Sequence, residues 1–527
     1  MENIDEEDIP ILQEHEVFNS FNERKLTTAT VPGDLPPKLR KEFAPFLAKV
    51  NAEIFNEISK TGEYPRQWVH EYVTPVPKTQ FPEDEQEVRP ISLLPDMARD
   101  YNRWIVKWLE PYIRARMDPG QYAGRKGMSI THSLIVLFDF IFKRTDNIAK
   151  EPNTVLAVLL DMSKGFSLLS HSKILMRLSD WGCPGWLLRL VAAYLTGRKM
   201  TVRFRGASSS THSLPGGCAM GDCLGMILFL VEMSDLGMPP VHYAKTLKGD
   251  VLAVPGPPAP AVTKDEVRLK WVDDGVLAEC IRLDEVLTKD NQTIIGPRDF
   301  HDRHAWVLPG EKSRLQNKLD EIKHYANEHE MRVNFEKTFL IPFGFSRKYD
   351  FLPRLKYDGN ELEVRYERKL LGVMINSEGR WNDHIHYIAN KAKQRMFFLR
   401  RLKNLGASDL ILKDVYILFI RSIMEFAAPL WTGALTGNKK LTNILNRVQN
   451  YACRIINPNV PSTETQSYLK LECLETRRIL ISHKCAKQMA NSAEFATLFP
   501  KNERQASRNL GKYVTGKEPH SVQYHFL

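Results

Sequence analysis

What this chain has little of narrows its class before anything else does. Among 527 residues there are only seven cysteines, scattered at 183, 218, 223, 280, 453, 473 and 485 with no C-x-x-C pair. That excludes a disulfide framework and a structural zinc site, and it fits reduced thiols inside a cell. No uninterrupted apolar run reaches membrane-spanning length, so no membrane association is expected. The opening stretch MENIDEEDIP is acidic and polar, unlike a signal peptide or an Arg-rich transit peptide. A nuclear or cytoplasmic protein is expected, and not a secreted one. Internal repeats are lacking, and compositional bias is confined to the Pro-rich AVPGPPAPAV.

What is present reads as a large soluble protein. A hydrophobic share of 43% with 26% charged residues is that of a globular chain, and the length predicts two to four subdomains. The net charge of +10 and sequence pI near 9.0 favour a polyanionic partner. The charge is most concentrated in KAKQRMFFLRRLK, Lys391 to Lys403, which holds six basic residues and no acidic one. Such a run is either a solvated helix face or a helix that tracks phosphates.

Residues 1–35 read as loosely ordered. A helix is predicted from Pro36–Pro37, with Leu39, Phe43, Phe46, Leu47, Val50, Ile54 and Ile58 at helical spacing and Gly62 as the stop. YPRQWVHEYVTPVPK reads as extended, and 97–117 and 129–144 as amphipathic helices. TVLAVLLDMS is a near-continuous apolar run ending at Asp161, as a buried central strand would. Helices follow at His171–Leu178 and Trp186–Leu195, then a strand in KMTVRFRG and a Gly-rich turn opening an apolar helix. Residues 238–265 and 291–311 read as insertions, and the last third as helical with a frayed tail.

RLKWVDDGVLAE places two adjacent carboxylates between two strand-like runs. Asp274–Gly275 is a favoured hairpin dipeptide, so the acids are expected at a hairpin tip. A polar turn alone would explain a lone Asp-Asp pair. Asp161 changes that reading, since it too ends an apolar strand. Three carboxylates converging from two strands make an oxygen-rich site suited to Mg²⁺. Paired carboxylates can also cleave sugars, but a glycosidase does not explain the basic, Gly-rich and helical segments around them.

Taken in order, these segments resemble the reverse transcriptase domain of non-LTR (LINE-type) retrotransposons, from about residue 62 to 456. YPRQWVHEYVTPVPK is similar to the opening segment of that family, VRPISLLPDMARDYNRWI to its first fingers motif and QYAGRKGMS to its second. LLDMSKGFSLLSH resembles the motif with the first metal-binding aspartate, and GGCAMGDCLGMILF the Gly-rich turn and helix. KWVDD resembles the aspartate pair, MRVNFEKT the lysine motif and RKLLGVMIN the primer-gripping hairpin. WNDHIHYIANKAKQRMFFLRRL and FIRSIMEFAAPLW resemble the thumb. Eight such motifs in order are far more specific than any one.

The resemblance implies an α+β right-hand polymerase. Its fingers would lie at 36–150, an antiparallel-sheet palm at 151–380 and a helical thumb at 381–460. A helical extension would follow at 461–527. The implied activity is RNA-directed DNA synthesis from a primer end, with two Mg²⁺ ions (Mn²⁺ as substitute) and dNTPs. Asp161 and Asp273 would hold the metals with Asp274 in support, and Lys337 would protonate the leaving pyrophosphate. Phe166 would sit under the sugar and reject a 2′-hydroxyl. Arg125, Lys126, Lys78 and Arg89 would contact triphosphate or template, and Gly217 and Gly221 would let backbone approach the nucleotide. Lys391, Lys393, Arg395, Arg400 and Arg401 would hold nucleic acid. The implied partners are an RNA template and a DNA primer or target.

Several positions depart from the family pattern. Gly165 and Ser167 replace a small residue and an acid, Ala219–Met220 replace Pro-Gln, and Ala123–Gly124 stand where Gly-Phe is expected. These departures leave two alternatives: a decayed or co-opted nucleic-acid-binding fold, and an RNA-dependent RNA polymerase, against which Phe166 argues. No endonuclease or RNase H-like segment is recognisable, so an endonuclease would come from another domain or chain. His301 and His304 in FHDRH read as surface.

Overall fold

The computed structural model describes residues 9–499. Excepted are 146–153, 237–242, 246–250, 254–259, 282–286, 289–305, 308–313, 345–354 and the positions 24, 27–28, 80, 85–86, 164 and 497. Most of the two insertions, with His301 and His304, and the tail beyond 499 therefore lie outside the described residues. The chain divides into two compact units, one of residues 1–124, 161–261 and 318–334, the other of 125–160, 262–317 and 335–527. One of the chain crossings between the units falls between Leu160 and Asp161. No helix among the described residues is long and apolar enough to cross a membrane.

In the first unit a sheet runs in the order Val88–Leu93, His70–Pro77, Lys199–Phe204, Ala207–Ser208. Its second strand is antiparallel to the first and parallel to the third. Helices Asp96–Arg114, His171–Asp180, Gly185–Leu195 and Cys223–Glu232 pack among one another in the same unit. Arg40 is buried and pairs with Asp100 at 2.7 Å and with Asp96 at 3.5 Å. Removing one partner of such a group would leave an uncompensated buried charge.

Two expectations about this unit are corrected. Residues 1–35 are not simply loose, because Glu14–Glu23 is a helix that buries Val17 and Phe21. The helix predicted from Pro37 breaks at Phe43, before Pro45, into Pro37–Glu42 and Ala44–Thr61, which ends at Gly62 as expected. Apart from Ile58, it also buries a different face from the one the larger apolar residues suggest. Ala44, Ala48, Ala52, Phe55 and Ile58 are inside, while Leu39, Phe43, Phe46, Val50 and Ile54 are exposed. Alanines let the helix lie close against Glu14–Glu23, and close approach decides the face more strongly than side-chain size.

The second unit is built on a sheet ordered Glu266–Trp271, Asp274–Ile281, Thr154–Leu160, Phe339–Phe343, Glu363–Val364. Thr154–Leu160 is its central strand, and Val155 to Leu160 are all buried. Helix Ile130–Thr145 packs on the sheet through an almost wholly apolar surface. Helices Asn382–Asn404, Lys439–Ile456 and Leu474–Ala490 complete the unit.

His384 is fully buried in this unit, where its Nδ1 accepts the Met374 N–H at 3.3 Å. Burial pushes its pKa from 6.5 down to about 4. The unfolded chain then binds the extra proton first, so stability present above pH 6.5 is lost as pH falls toward 4. The expected result is a thermal midpoint that drops across this window and a flatter profile in His384→Gln. Parallel profiles for the two proteins would rule this histidine out as the cause.

Candidate active site

The turn within KWVDD falls two residues earlier than the sequence suggests. Trp271 pairs with Asp274 and Lys270 with Gly275. The two-residue turn is therefore Val272–Asp273, and Asp274–Gly275 already belongs to the second strand. This corrects the expected Asp274–Gly275 turn. The strand continues through Gly275 because that residue also pairs with Leu160 of the central strand. Val272 carries the consequence with φ at 60°, a region that β-branched residues avoid. Such strain costs on the order of 1–3 kcal/mol and concentrates at working sites.

Asp273 and Asp274 are half-buried. The pairing sets Asp274 one residue from the partner of Leu160, and Asp161 is the residue that follows Leu160 in the chain. Asp161 is itself half-buried, and its carbonyl accepts the Asn334 N–H at 2.7 Å. Among the described residues no group of three His, Cys, Asp or Glu side chains forms a ready metal cage. The donor chemistry still suits Mg²⁺, which takes one or two carboxylates together with substrate phosphates and waters rather than an all-protein cage.

Phe166 lies in the short turn Gly165–Ser167, half-buried, with its ring stacked on Phe229 at 4.4 Å and 12°. A Cβ on Gly165 would come within 2.7 Å of the Phe229 ring. Gly217 has φ of 79°, and a Cβ there would meet the carbonyl oxygens of Phe166 and Ser167 at 2.8 and 2.9 Å. What Gly217 approaches in this structure is the backbone under Phe166, and Cys218 N–H donates to the Phe166 carbonyl at 2.9 Å. Gly221 lies beside Ser92, whose N–H donates to the Met220 carbonyl at 2.7 Å.

Of the cations predicted for phosphate contact, Lys78 follows His70–Pro77 and Arg89 lies on its partner strand Val88–Leu93, while Arg125, Lys126 and Lys337 belong to the second unit. Arg125 is ion-paired with Glu494 at 3.4 Å, and Gln488 donates to the Gly127 carbonyl at 2.8 Å. Lys126, Lys78, Arg89 and Lys337 are exposed. On helix Asn382–Asn404 the side chains of Lys391, Lys393, Arg395, Arg400 and Arg401 are exposed, while Met396 and Leu399 are buried. Phe397 and Phe398 stay exposed among those cations.

Two buried polar clusters escaped sequence reasoning. In one, Asp222 accepts from Asn102 at 2.9 Å and from Tyr194 at 3.1 Å, and burial raises its pKa. In the other, Glu232 is fully buried against His329, while Arg177 donates to the Glu232 carbonyl at 2.6 Å. Partners lie 97 and 120 residues apart, so no local spacing could have revealed them.

Residues 76–240 match the family described as reverse transcriptase (RNA-dependent DNA polymerase). Over these residues the chain resembles a reverse transcriptase domain. The relatives it matches are polymerases of mobile elements. The probable RNA-directed DNA polymerase from transposon BS of Drosophila melanogaster is 23% identical over 410 residues, 77% of this chain and 40% of that protein. The corresponding protein from transposon X-element is 28% identical over 37% of this chain and 21% of its own length. The RNA-directed DNA polymerase from mobile element jockey of Drosophila funebris is 22% identical over 65% of this chain and 33% of its own. The chain spans less than half the length of each of these relatives. Among solved structures, apo telomerase from Candida tropicalis aligns over 66% of this chain at 10% identity and a TM-score of 0.35.

Proposed function

We propose that this chain extends a primer 3′-hydroxyl with dNTPs on an RNA template. The observation that carries the reading is the strand register. It sets the Val272–Asp273 turn and Asp274 at the end of the strand that leads directly into Asp161. In this reading Asp161 and Asp273 hold two Mg²⁺ ions with Asp274 in support. When bound, such a pair activates the attacking hydroxyl and neutralises the leaving pyrophosphate.

The protein's own groups do the rest by position and charge. The 3′-hydroxyl loses its proton to water as its oxygen bonds the α-phosphorus, the bond to pyrophosphate breaks, and Lys337 gives the leaving group a proton and regains one from solvent. Phe166, braced by its stack on Phe229, rejects a 2′-hydroxyl. Arg125, Lys126, Lys78 and Arg89 contact triphosphate or template, with Gly217 and Gly221 shaping the turn beside the nucleotide. The exposed cations of Asn382–Asn404 hold the duplex, where phosphate contacts make binding salt-dependent. The partners are an RNA template and a DNA primer or target, the site of action is nuclear or cytoplasmic, and another domain or chain supplies any nick.

The test is primer extension on an RNA template with Mg²⁺, run in parallel with dNTPs and NTPs. Extension with dNTPs alone is expected. Extension with NTPs would favour an RNA polymerase, and tight template binding with no extension would favour a decayed, binding-only fold.

Arg125 offers a narrower prediction. If it meets the triphosphate, its pairing with Glu494 competes, and Glu494→Gln should lower the KM for dNTP about 2- to 5-fold with kcat unchanged. The interaction is partly exposed, so the effect on stability should stay small. An unchanged KM would remove Arg125 from the nucleotide site.

A further inference from the structure

Helix Ala44–Thr61 packs one face into the first unit and leaves a second face open. Phe43, at its N-cap, and Phe46, Val50 and Ile54 lie along the open face, and Phe46 is 75% exposed. Steps of three, four and four residues carry this row from 43 to 54, eleven residues over three turns. A row with that period runs nearly straight along the helix. Single exposed apolar residues are ordinary, whereas a continuous row with two phenylalanines marks a contact surface.

The rim on one side of the row is charged. Glu42, Lys49, Glu53 and Lys60 follow the same eleven-residue repeat, 42 to 53 and 49 to 60, about 80° round the helix from the apolar row. All four are exposed, and none forms an ion pair among the described residues. Their signs run acid, base, acid, base, so the row is complementary to its own reverse. Laid antiparallel about a two-fold axis near residues 50 and 51, Glu42 meets Lys60 of a second copy, and Lys49 meets Glu53. The same axis sets Val50 against its equivalent and Phe46 against Ile54. Glu57, exposed at the end of the apolar row, falls beside the N-terminus of the second helix, where the helix dipole favours an acid. A parallel pair would set each charge beside its like.

We propose that this face is a homodimer contact, on which a second copy of the chain docks through the same helix, antiparallel, with apolar rows in contact and charged rows interlocked. An isologous contact must be self-complementary, and the order of charges meets that condition. A polyanionic partner would ask for cations alone on the rim, and an unrelated protein would require no such reversal symmetry. A pair of 18-residue helices, each about 27 Å long, lies at the low end of specific interfaces. The dimer should therefore form reversibly with concentration.

The experiment is sedimentation velocity on the full chain across a concentration series, without nucleic acid, dNTPs or metal. A monomer–dimer equilibrium is expected. Phe46→Glu should weaken it at least ~10-fold, as for loss of a buried aromatic anchor. Lys49→Glu and Glu53→Lys should each weaken it about 5-fold, because an exposed pair contributes little singly but the axis repeats every reversal. The double variant Lys49→Glu/Glu53→Lys should associate as the unaltered chain does. So should an equimolar mixture of the two single variants, since each supplies the sign the other needs. Recovery by mixing also shows that the single variants are folded. A chain that stays monomeric at every concentration, a dimer indifferent to Phe46→Glu, or single variants that neither mixing nor the double exchange rescues would each overturn the proposal. Pairing is read without primer extension, so its failure and that of the polymerase reading are distinguishable.

Discussion

Asp273→Asn should lower primer extension by on the order of 10³-fold or more while leaving primer–template binding intact. The substitution keeps the shape of the side chain and removes one negative charge. At 1.36 kcal/mol per tenfold, a loss of that size is about 4 kcal/mol of transition-state stabilisation. That is the scale on which preorganised charge acts in phosphoryl transfer. Asp273 lies in the turn itself, between Val272 and the first residue of the returning strand, so its replacement disturbs no ladder pair. Stability measured by urea unfolding should therefore change little. Asp161→Asn should match it, and Asp274→Asn should cost less if Asp274 only supports the metals. Retention of more than a tenth of wild-type extension by Asp273→Asn would take this residue out of the metal site. The expected loss must also hold across Mg²⁺ concentrations, since recovery at high Mg²⁺ would mean weakened affinity rather than lost chemistry.

Gly217→Ala should be the most destabilising small substitution in the Gly-rich turn. At φ of 79° any L side chain is strained, at roughly 1–2 kcal/mol. The added methyl would also press on the carbonyl oxygens of Phe166 and Ser167, at 2.8 and 2.9 Å. Those are backbone atoms, and they cannot swing aside as a flexible side-chain end can. A total of about 2–4 kcal/mol is expected, placing the variant among the larger single-site effects. The control is one residue away. Gly216 lacks the positive φ, and its nearest neighbour, the Leu169 carbonyl oxygen, stands 3.5 Å from where a Cβ would lie. Gly216→Ala should cost under about 1 kcal/mol. Equal losses in the two variants, read by denaturant midpoint, would show that the close approach is not what demands glycine.

How much of this was legible without coordinates depends on the range of the interaction involved. Thr154–Leu160 was readable as a buried strand, because six consecutive apolar residues have no other economical place. The helices Asp96–Arg114, Ile130–Thr145 and Gly185–Leu195 were readable from periodicity. The aspartates were readable as a set from resemblance. The turn between them was not, since Asp-Gly is locally the better hairpin dipeptide. The pairing of Gly275 with both Lys270 and Leu160 outvoted that preference and pushed the turn back to Val272–Asp273. Phe166 was readable as a nucleotide-facing candidate, but its stack on Phe229 was not, nor the dependence of Gly165 on that ring.

By itself the sequence determined which chemistry-bearing residues exist, their order along the chain and most local elements. Periodicity, capping and turn composition act over a few residues and need no distant partner. Only the tertiary structure decided which face of Ala44–Thr61 is buried, where the Asp-Asp turn falls, and that Arg125 meets Glu494, 369 residues away. Each of these depends on contacts between segments far apart in the chain, whose geometry is set by close packing and strand register rather than by local preference.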